Sequence, residues 1–380
     1  MPSYIPDPEL NQLVREVNRA VEDRPSSSLD RAEVGEGHPL ETLLGEMRKR
    51  QASDLLLIAG SPPVFRVDGQ LTQIDADRLD GDDLHAMFTR ALSPRLREIF
   101  DAEGAVDFSL RRGSSRFRVN LHRQRGEWAA AVRALPVPIP TLAALSLPPS
   151  LAKLVEPTRG LVLVSGPTGS GKTSTLAALV GVINQTHARH VITIEDPIEY
   201  EHQNVKSIIE QIEVGRDAPS FASALRAALR QDPDVILVGE MRDLETVATA
   251  LTAAETGHLI LSTLHTGDVM QAIHRMVDVF PSAQQGQIRQ QLALSLNAIL
   301  TQHLIPRLDG RGVAPAVELL LANQAVRNHI RNEKLQNLAT EITLGKRSGM
   351  ISLDDSLAEL ARTGTISQED AQIRMRRERE

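Results

Sequence analysis

Residues 166–173 read G-P-T-G-S-G-K-T and follow directly on the apolar run Leu161-Val162-Leu163-Val164. No other stretch restricts the fold as much. A short apolar run, a glycine-rich turn and then the helix-like residues 174–183 call for a buried strand, a phosphate-binding loop and a helix, in that order. Glycines at 166, 169 and 171 let the backbone curl until several N–H groups point at one anion, and the helix N-terminus behind them adds positive potential. The loop Gly166, Pro167, Thr168, Gly169, Ser170, Gly171, Lys172 and Thr173, with Ser174 behind it, is therefore expected to bind a nucleoside triphosphate. Lys172 is placed to reach the β- and γ-phosphates, and the Thr173 hydroxyl to hold Mg²⁺. The alternative is a glycine-rich strand-to-helix turn without a ligand, which the full spacing and both flanking elements disfavour.

From residue 157 onward, strand-like and helix-like segments alternate, which implies a parallel sheet with right-handed crossovers. Three further apolar runs end in polar residues. Val191-Ile192-Thr193-Ile194 leads to Glu195, Asp196 and Glu199; Val235-Ile236-Leu237-Val238 leads to Gly239-Glu240; Leu259-Ile260-Leu261 leads to Ser262-Thr263-Leu264-His265-Thr266. Open α/β sheets bind ligands beyond the carboxyl ends of their strands, so this coincidence points to one site. Glu240 is expected to hold Mg²⁺, often through water; capping of the next helix is its other role. Glu195, Asp196 and Glu199 are candidates to orient or deprotonate an attacking water, and residue type alone does not choose among them. His265 falls within reach of a γ-phosphate, whereas His258 precedes the strand; a lone histidine is more often structural. Arg226 and Arg230, four apart in a segment where Phe221, Leu225, Ala228 and Leu229 have helical spacing, are expected on one helix face. Such a pair serves phosphate, a neighbouring subunit or solvent.

The remainder reads as an N-terminal extension, 1–37, rich in charge, Pro, Ser and Gly and expected to be mobile, with a possible helix at 10–21. An α+β domain follows at 38–135, a proline-rich linker at 136–156, the nucleotide core at 157–297 and a mainly helical region at 298–380. Within the α+β domain the patterns predict a helix at 40–50, strands at 54–58 and 64–67, a helical stretch at 81–100 interrupted by Pro94, and strands at 106–110, 115–122 and 128–134. Lys and Arg number 42 against 49 Asp and Glu, a net charge of −7. With aromatics at 3%, that balance offers no stacking platform for nucleic acid. No apolar run reaches membrane-spanning length and no secretory signal is visible, so a cytoplasmic location is expected. Zero cysteines exclude disulfides, thiol catalysis and cysteine-bound zinc.

Taken together, G-P-T-G-S-G-K-T, T-I-E-D-P-I-E-Y (193–200), L-R-Q-D-P-D-V-I-L-V-G-E-M-R-D (229–243), A-L-T-A-A-E-T-G-H-L (250–259) and S-T-L-H-T (262–266) resemble the secretion ATPase superfamily, nearest its pilus-retraction branch. The likeness runs over roughly 38–366 and includes S-D-L (53–55), P-P-V-F-R-V-D-G (62–69), R-F-R-V-N (116–120) and A-V-R-N-H-I-R (325–331). The resemblance implies a PAS-like N-terminal domain joined to a RecA-like P-loop core, in an ATP-hydrolysing homohexamer that acts on an inner-membrane pilus platform protein and, indirectly, on pilin. It also implies Glu199 as catalytic base, Glu240 for Mg²⁺, functional His258 and His265, and nucleotide-contacting Arg118, Arg133, Arg226 and Arg230. The extension and type II secretion branches carry a four-cysteine zinc insertion that this chain lacks the residues to build. Three departures stand out. The N-terminal extension is longer than is typical, Leu56 replaces a histidine, and Val326, His329 and Asn332 alter a C-terminal motif that keeps Arg327, Asn328 and Arg331. Those changes keep open an accessory retraction ATPase or a secretion or conjugation motor; a nucleotide-sensing module with little turnover is the reading from another class.

Overall fold

The computed structural model describes residues 32–33, 39–67, 69–74, 76–113 and 115–377. The expectations for 1–31 and 34–37, including the helix at 10–21, lie outside them. The chain divides into two compact units, Met1–Val137 and Pro138–Glu380.

Among the described residues the first unit carries a seven-stranded sheet and three helices. Its elements are β1 (Ala32–Glu33), α1 (Pro39–Lys49), β2 (Asp54–Ile58), β3 (Val64–Val67), β4 (Gln70–Gln73), α2 (Gly81–Thr89), α3 (Pro94–Glu103), β5 (Ala105–Arg112), β6 (Ser115–Gln124) and β7 (Glu127–Leu135), with sheet order β1-β5-β6-β7-β2-β3-β4. The helical stretch breaks where local chemistry breaks it. Asp80 and Asp83 form a reciprocal capping box for α2, while Ser93 caps α3 with Pro94 in its first turn and Gly104 closes it in the left-handed conformation. The apolar sides of these helices cover one sheet face around Phe65, Phe88, Phe100 and Phe117, all fully buried.

The second unit is an α/β, RecA-like core. Its elements are β8 (Gly160–Ser165), α4 (Lys172–Thr186), β9 (His190–Glu195), β10 (Ile208–Glu213), α5 (Phe221–Ala228), β11 (Val235–Val238), α6 (Leu244–Thr256), β12 (Leu259–Leu264), α7 (Val269–Asp278), α8 (Ser282–Ser295), β13 (Leu296–Pro306) and β14 (Val313–Leu321). The sheet order is β10-β9-β11-β12-β8-β13-β14. All neighbours run parallel except the last pair. Helices cover both faces, so β8 and β11 are buried along their whole length, which is why their sequences read as unbroken apolar runs.

Two expectations require correction. The helical region does not begin at 298, because β13 and β14 extend the core sheet and helices take over only at α9 (Gln324–Arg331), followed by α10 (Leu338–Leu344), α11 (Leu353–Arg362) and α12 (Gln368–Arg377). A strand buried on both faces lacks alternation, so periodicity alone could not separate β13 from the helix before it. The proline-rich stretch is no free connector either. Leu142, Leu147, Leu151, Leu154 and Val155 are buried in the core of the second unit, with a 3₁₀ helix at Pro149–Val155. Its prolines signalled a break and obscured the apolar residues between them. The edge strands β4 and β10 mix apolar with polar residues and lack the unbroken apolar run that marks the buried strands.

Candidate nucleotide site

Strand register assembles the site. Ser165 at the end of β8 pairs with Leu264 at the end of β12, so Gly166 and His265 leave the sheet side by side. Ile194 of β9 pairs with Val238 of β11, bringing Glu195 abreast of Gly239 and Glu240 one residue beyond. Hydroxyls of the S-T-L-H-T motif fasten this edge: Ser262 Oγ donates to Val238 O at 2.6 Å and Thr263 Oγ1 to Gly239 O at 2.5 Å. These two side chains pin the strand end that carries Glu240.

The loop glycines have physical necessity. Gly166 has φ +146, and a Cβ there would sit 2.3 Å from Gln302 O; Gly171 has φ +88, and its Cβ would sit 2.8 Å from Gln302 Nε2. Lys172 is 7% exposed, and its Nζ donates to Gly166 O at 2.8 Å and Pro167 O at 2.9 Å. The ammonium thus lies folded back over the loop whose phosphate it would meet. Burial pulls its pKa down, against the opposing field of Glu240. Lys172 Nζ also lies 3.5 Å from His265 Nδ1, and His265 Nε2 lies 3.7 Å from Glu240 Oε2. Glu240 in turn accepts from Arg242 Nε at 2.8 Å. Three chemically distinct groups from three strand ends therefore meet beside the loop.

The acidic segment separates into different roles. Glu195 accepts from Thr193 Oγ1 at 2.7 Å, from Gln211 Nε2 at 3.2 Å and from the backbone N–H of Glu199. Burial raises its pKa, with the neighbouring Glu199 adding in the same direction. That carboxyl is committed to holding the turn. Asp196 is exposed, whereas Glu199 is half-buried. Tyr200 OH lies 2.8 Å from Ser174 Oγ, tying the segment to the first turn of α4 and engaging the Ser174 hydroxyl. Gln211 Nε2 also donates to Tyr200 O at 2.8 Å, and its Oε1 accepts from the N–H of His202 at 2.8 Å.

The cradle fits a phosphate: glycines where side chains would collide, a buried cation over it, and a buried Ser170 Oγ without a partner. No group of three or more His, Asp or Glu able to hold a metal occurs among the described residues. An ion here would rest on one or two protein oxygens and the nucleotide, the arrangement Mg²⁺ favours.

Residues 64–349 match the family model described as Type II/IV secretion system protein. The chain belongs to that family. Over 330 residues it is 44% identical to "Type IV pilus retractation ATPase PilT" of Pseudomonas aeruginosa, spanning 87% of this chain and 96% of the relative. It is 39% identical over 332 residues to "Type IV pilus ATPase PilU" of the same organism, at 87% coverage of both. A crystal structure of the pilus retraction motor PilT with bound ADP superposes with a TM-score of 0.81 at 47% identity, covering 87% of this chain and 94% of that one. This secretion ATPase therefore shares the enzyme class of those relatives, and the site described above is where its family chemistry has to be sought.

Other candidate residues of this secretion ATPase lie elsewhere. His258 sits at the amino end of β12, with Nδ1 3.2 Å from Ala253 O; the whole strand separates it from His265, roughly 20 Å at the usual rise. Arg226 is exposed and paired with Glu245 of α6, while Arg230 lies beyond the end of α5 and is exposed. α5 ends at Ala228; the Leu229 N–H still donates to Leu225 O, and Arg230 lies in the turn that follows. In the first unit Arg118 and Arg133 are cross-strand neighbours on β6 and β7. Arg118 Nε donates to Asp107 at 3.3 Å and Arg133 Nε to Asp54 at 2.8 Å. Sequence inspection missed one residue that touches the loop, Gln302. An uncharged side chain inside an apolar strand carries no signal before its neighbours are known.

Proposed function

We propose that this secretion ATPase is a motor that couples Mg-ATP hydrolysis to type IV pilus retraction, working as a homohexamer at the cytoplasmic face of the inner membrane. Its partner in this reading is the pilus platform protein, and through it pilin. The observation that carries the proposal is the convergence of Lys172, His265, Glu240 and the Glu199 segment at one sheet edge, in a chain similar to PilT over most of its length.

In this reading Gly166, Pro167, Thr168, Gly169, Ser170 and Gly171 enclose the phosphates with backbone N–H groups. Lys172 releases the Gly166 and Pro167 carbonyls and turns its ammonium to the β- and γ-phosphates. Thr173 and Glu240 would hold Mg²⁺, which when bound neutralises phosphate charge. Glu199 takes a proton from water as the water oxygen bonds to the γ-phosphorus and the bond to the β–γ bridging oxygen breaks, releasing ADP. Glu195 is unsuited to that task because three donors already hold its carboxyl. His265 steadies the transferring group, and Arg118 and Arg133 supply positive charge from a neighbouring subunit once freed from Asp107 and Asp54. Hydrolysis would then depend on ring closure.

Steady-state ATPase of the purified full chain tests the site. Lys172→Ala is expected to abolish turnover while the protein stays folded; surviving hydrolysis would refute the assignment. A second reading, an accessory PilU-like ATPase, draws on His329, which replaces an apolar residue of the retraction motif and pairs with Glu341 at 3.3 Å. A deletion strain separates the two. Hyperpiliated cells that cannot retract support the main motor, and cells that retract under no load but stall under load support the accessory role.

A further inference from the structure

We propose that Gln302 is a positioning residue for the phosphate loop, holding the Ser170–Gly171 peptide plane so that the Gly171 N–H faces the phosphates. The inference rests on the reading that this loop binds nucleotide. Gln302 lies on β13, one residue after Thr301, which pairs with Ser165 at the end of β8. Its side chain is 3% exposed. Its Nε2 donates to Ser170 O at 2.6 Å, and its Oε1 accepts from Thr175 Oγ1 at 2.8 Å.

The two contacts fix the amide in one orientation. Ser170 O can only accept, so the nitrogen must face it, and the Thr175 hydroxyl must then donate to the remaining oxygen. A trans peptide is planar, with the carbonyl of residue 170 and the N–H of residue 171 pointing in opposite directions. Anchoring the carbonyl on Gln302 therefore aims the Gly171 N–H away from β13. Gln302 also explains why two loop positions need glycine: its backbone oxygen and its amide nitrogen occupy the places where side chains at 166 and 171 would begin. The same residue walls the loop and orients it. Because β13 forms no part of the loop-to-helix motif, the loop's geometry is imposed from outside the motif.

The experiment uses the full chain, with ADP as the calorimetric probe, ATPase kinetics, and thermal unfolding without nucleotide. Gln302→Glu puts an acceptor against Ser170 O, and Gln302→Met keeps the volume but cannot donate, providing a second variant should the buried carboxylate prevent folding. Either folded variant is expected to weaken ADP binding and raise KM for ATP by about tenfold, with kcat within about twofold. Thr175→Val removes the second contact together with the Thr175 Oγ1 contact to Gly171 O at 3.1 Å, and its effect should be non-additive with that of Gln302→Met. Wild-type affinity in Gln302→Met, or a fall in kcat with KM unmoved, would overturn the proposal while leaving the nucleotide site intact. Failure of the wild-type chain to bind ADP would instead remove the reading beneath it.

Discussion

Lys172 opens α4 after the loop that leaves β8, His265 follows the neighbouring strand β12, and their nitrogen atoms stand 3.5 Å apart. Burial, and then the Lys172 charge, hold the imidazole below its ordinary range despite the opposing carboxylate of Glu240. His265 is thus neutral at pH 7. As pH falls through its lowered pKa, a second cation develops beside Lys172. The ATPase rate is expected to drop on an acid limb with its midpoint below pH 6.5, the unperturbed histidine value. His265→Asn should lose that limb and about 10²-fold in kcat. An unchanged limb in the variant would assign it to another group.

The two glutamates of the acidic segment should respond differently to the same substitution. Glu199→Gln removes the proposed base and is expected to trap bound ATP with turnover reduced by about 10²-fold or more. Glu195→Gln disturbs three hydrogen bonds and should cost about 1–3 kcal/mol of stability while sparing most of the rate. Single-turnover kinetics and urea unfolding on both variants decide between them. Normal turnover in Glu199→Gln would move the base role to Asp196 or Glu195.

His202 gives the core a pH-dependent stability. Burial lowers its pKa to about 4 from 6.5, and its Nδ1 has no hydrogen-bond partner. Between those values the unfolded chain binds a proton that the folded chain refuses, so stability is full above pH 6.5 and falls as pH drops toward 4. Unfolding free energy should be about 2 kcal/mol lower at pH 5 than at pH 7 through this residue alone. His202→Gln is expected to remove that increment in urea titrations at the two pH values, and an identical slope in wild type and variant would contradict it.

Two glycines of one loop should differ in their tolerance of alanine. At Gly166 a Cβ would stand 2.3 Å from Gln302 O and 2.5 Å from Ser170 Oγ, with φ at +146. Gly169, at φ +77, has nothing within 4 Å of the same position. Gly169→Ala is expected to cost about 1–2 kcal/mol from backbone conformation alone, whereas Gly166→Ala should cost more and abolish nucleotide binding. Thermal unfolding and ADP titration of the pair provide the check.

Much of this architecture was legible before folding. The loop of residues 166–173 and the carboxylates and histidine that end three other strands are local signals, because each needs only a strand followed by particular residues. The helix breaks at Asp80 and Ser93 are local too, since a capping side chain acts within one turn. What remained hidden depends on partners far along the chain. β13 and β14 are strands because β8 offers an edge to pair with, and their apolar residues would serve a buried helix as well. The leucines between the prolines at 136–156 are buried because the second unit supplies a core for them. Glu195 was one of three equivalent carboxylates by residue type until Thr193, Gln211 and a backbone amide were seen to hold it. The four-residue spacing of Arg226 and Arg230 suggested one continuous helix, and α5 ends at Ala228 with Arg230 in the turn after it. Sequence by itself determined which chemistry this protein carries, because those groups are written beside the strands that present them. Tertiary structure alone decided which of them meet, and that Gln302, more than a hundred residues beyond the loop, touches it. The physical reason is that register and burial belong to pairs of segments, and no single segment encodes its partner.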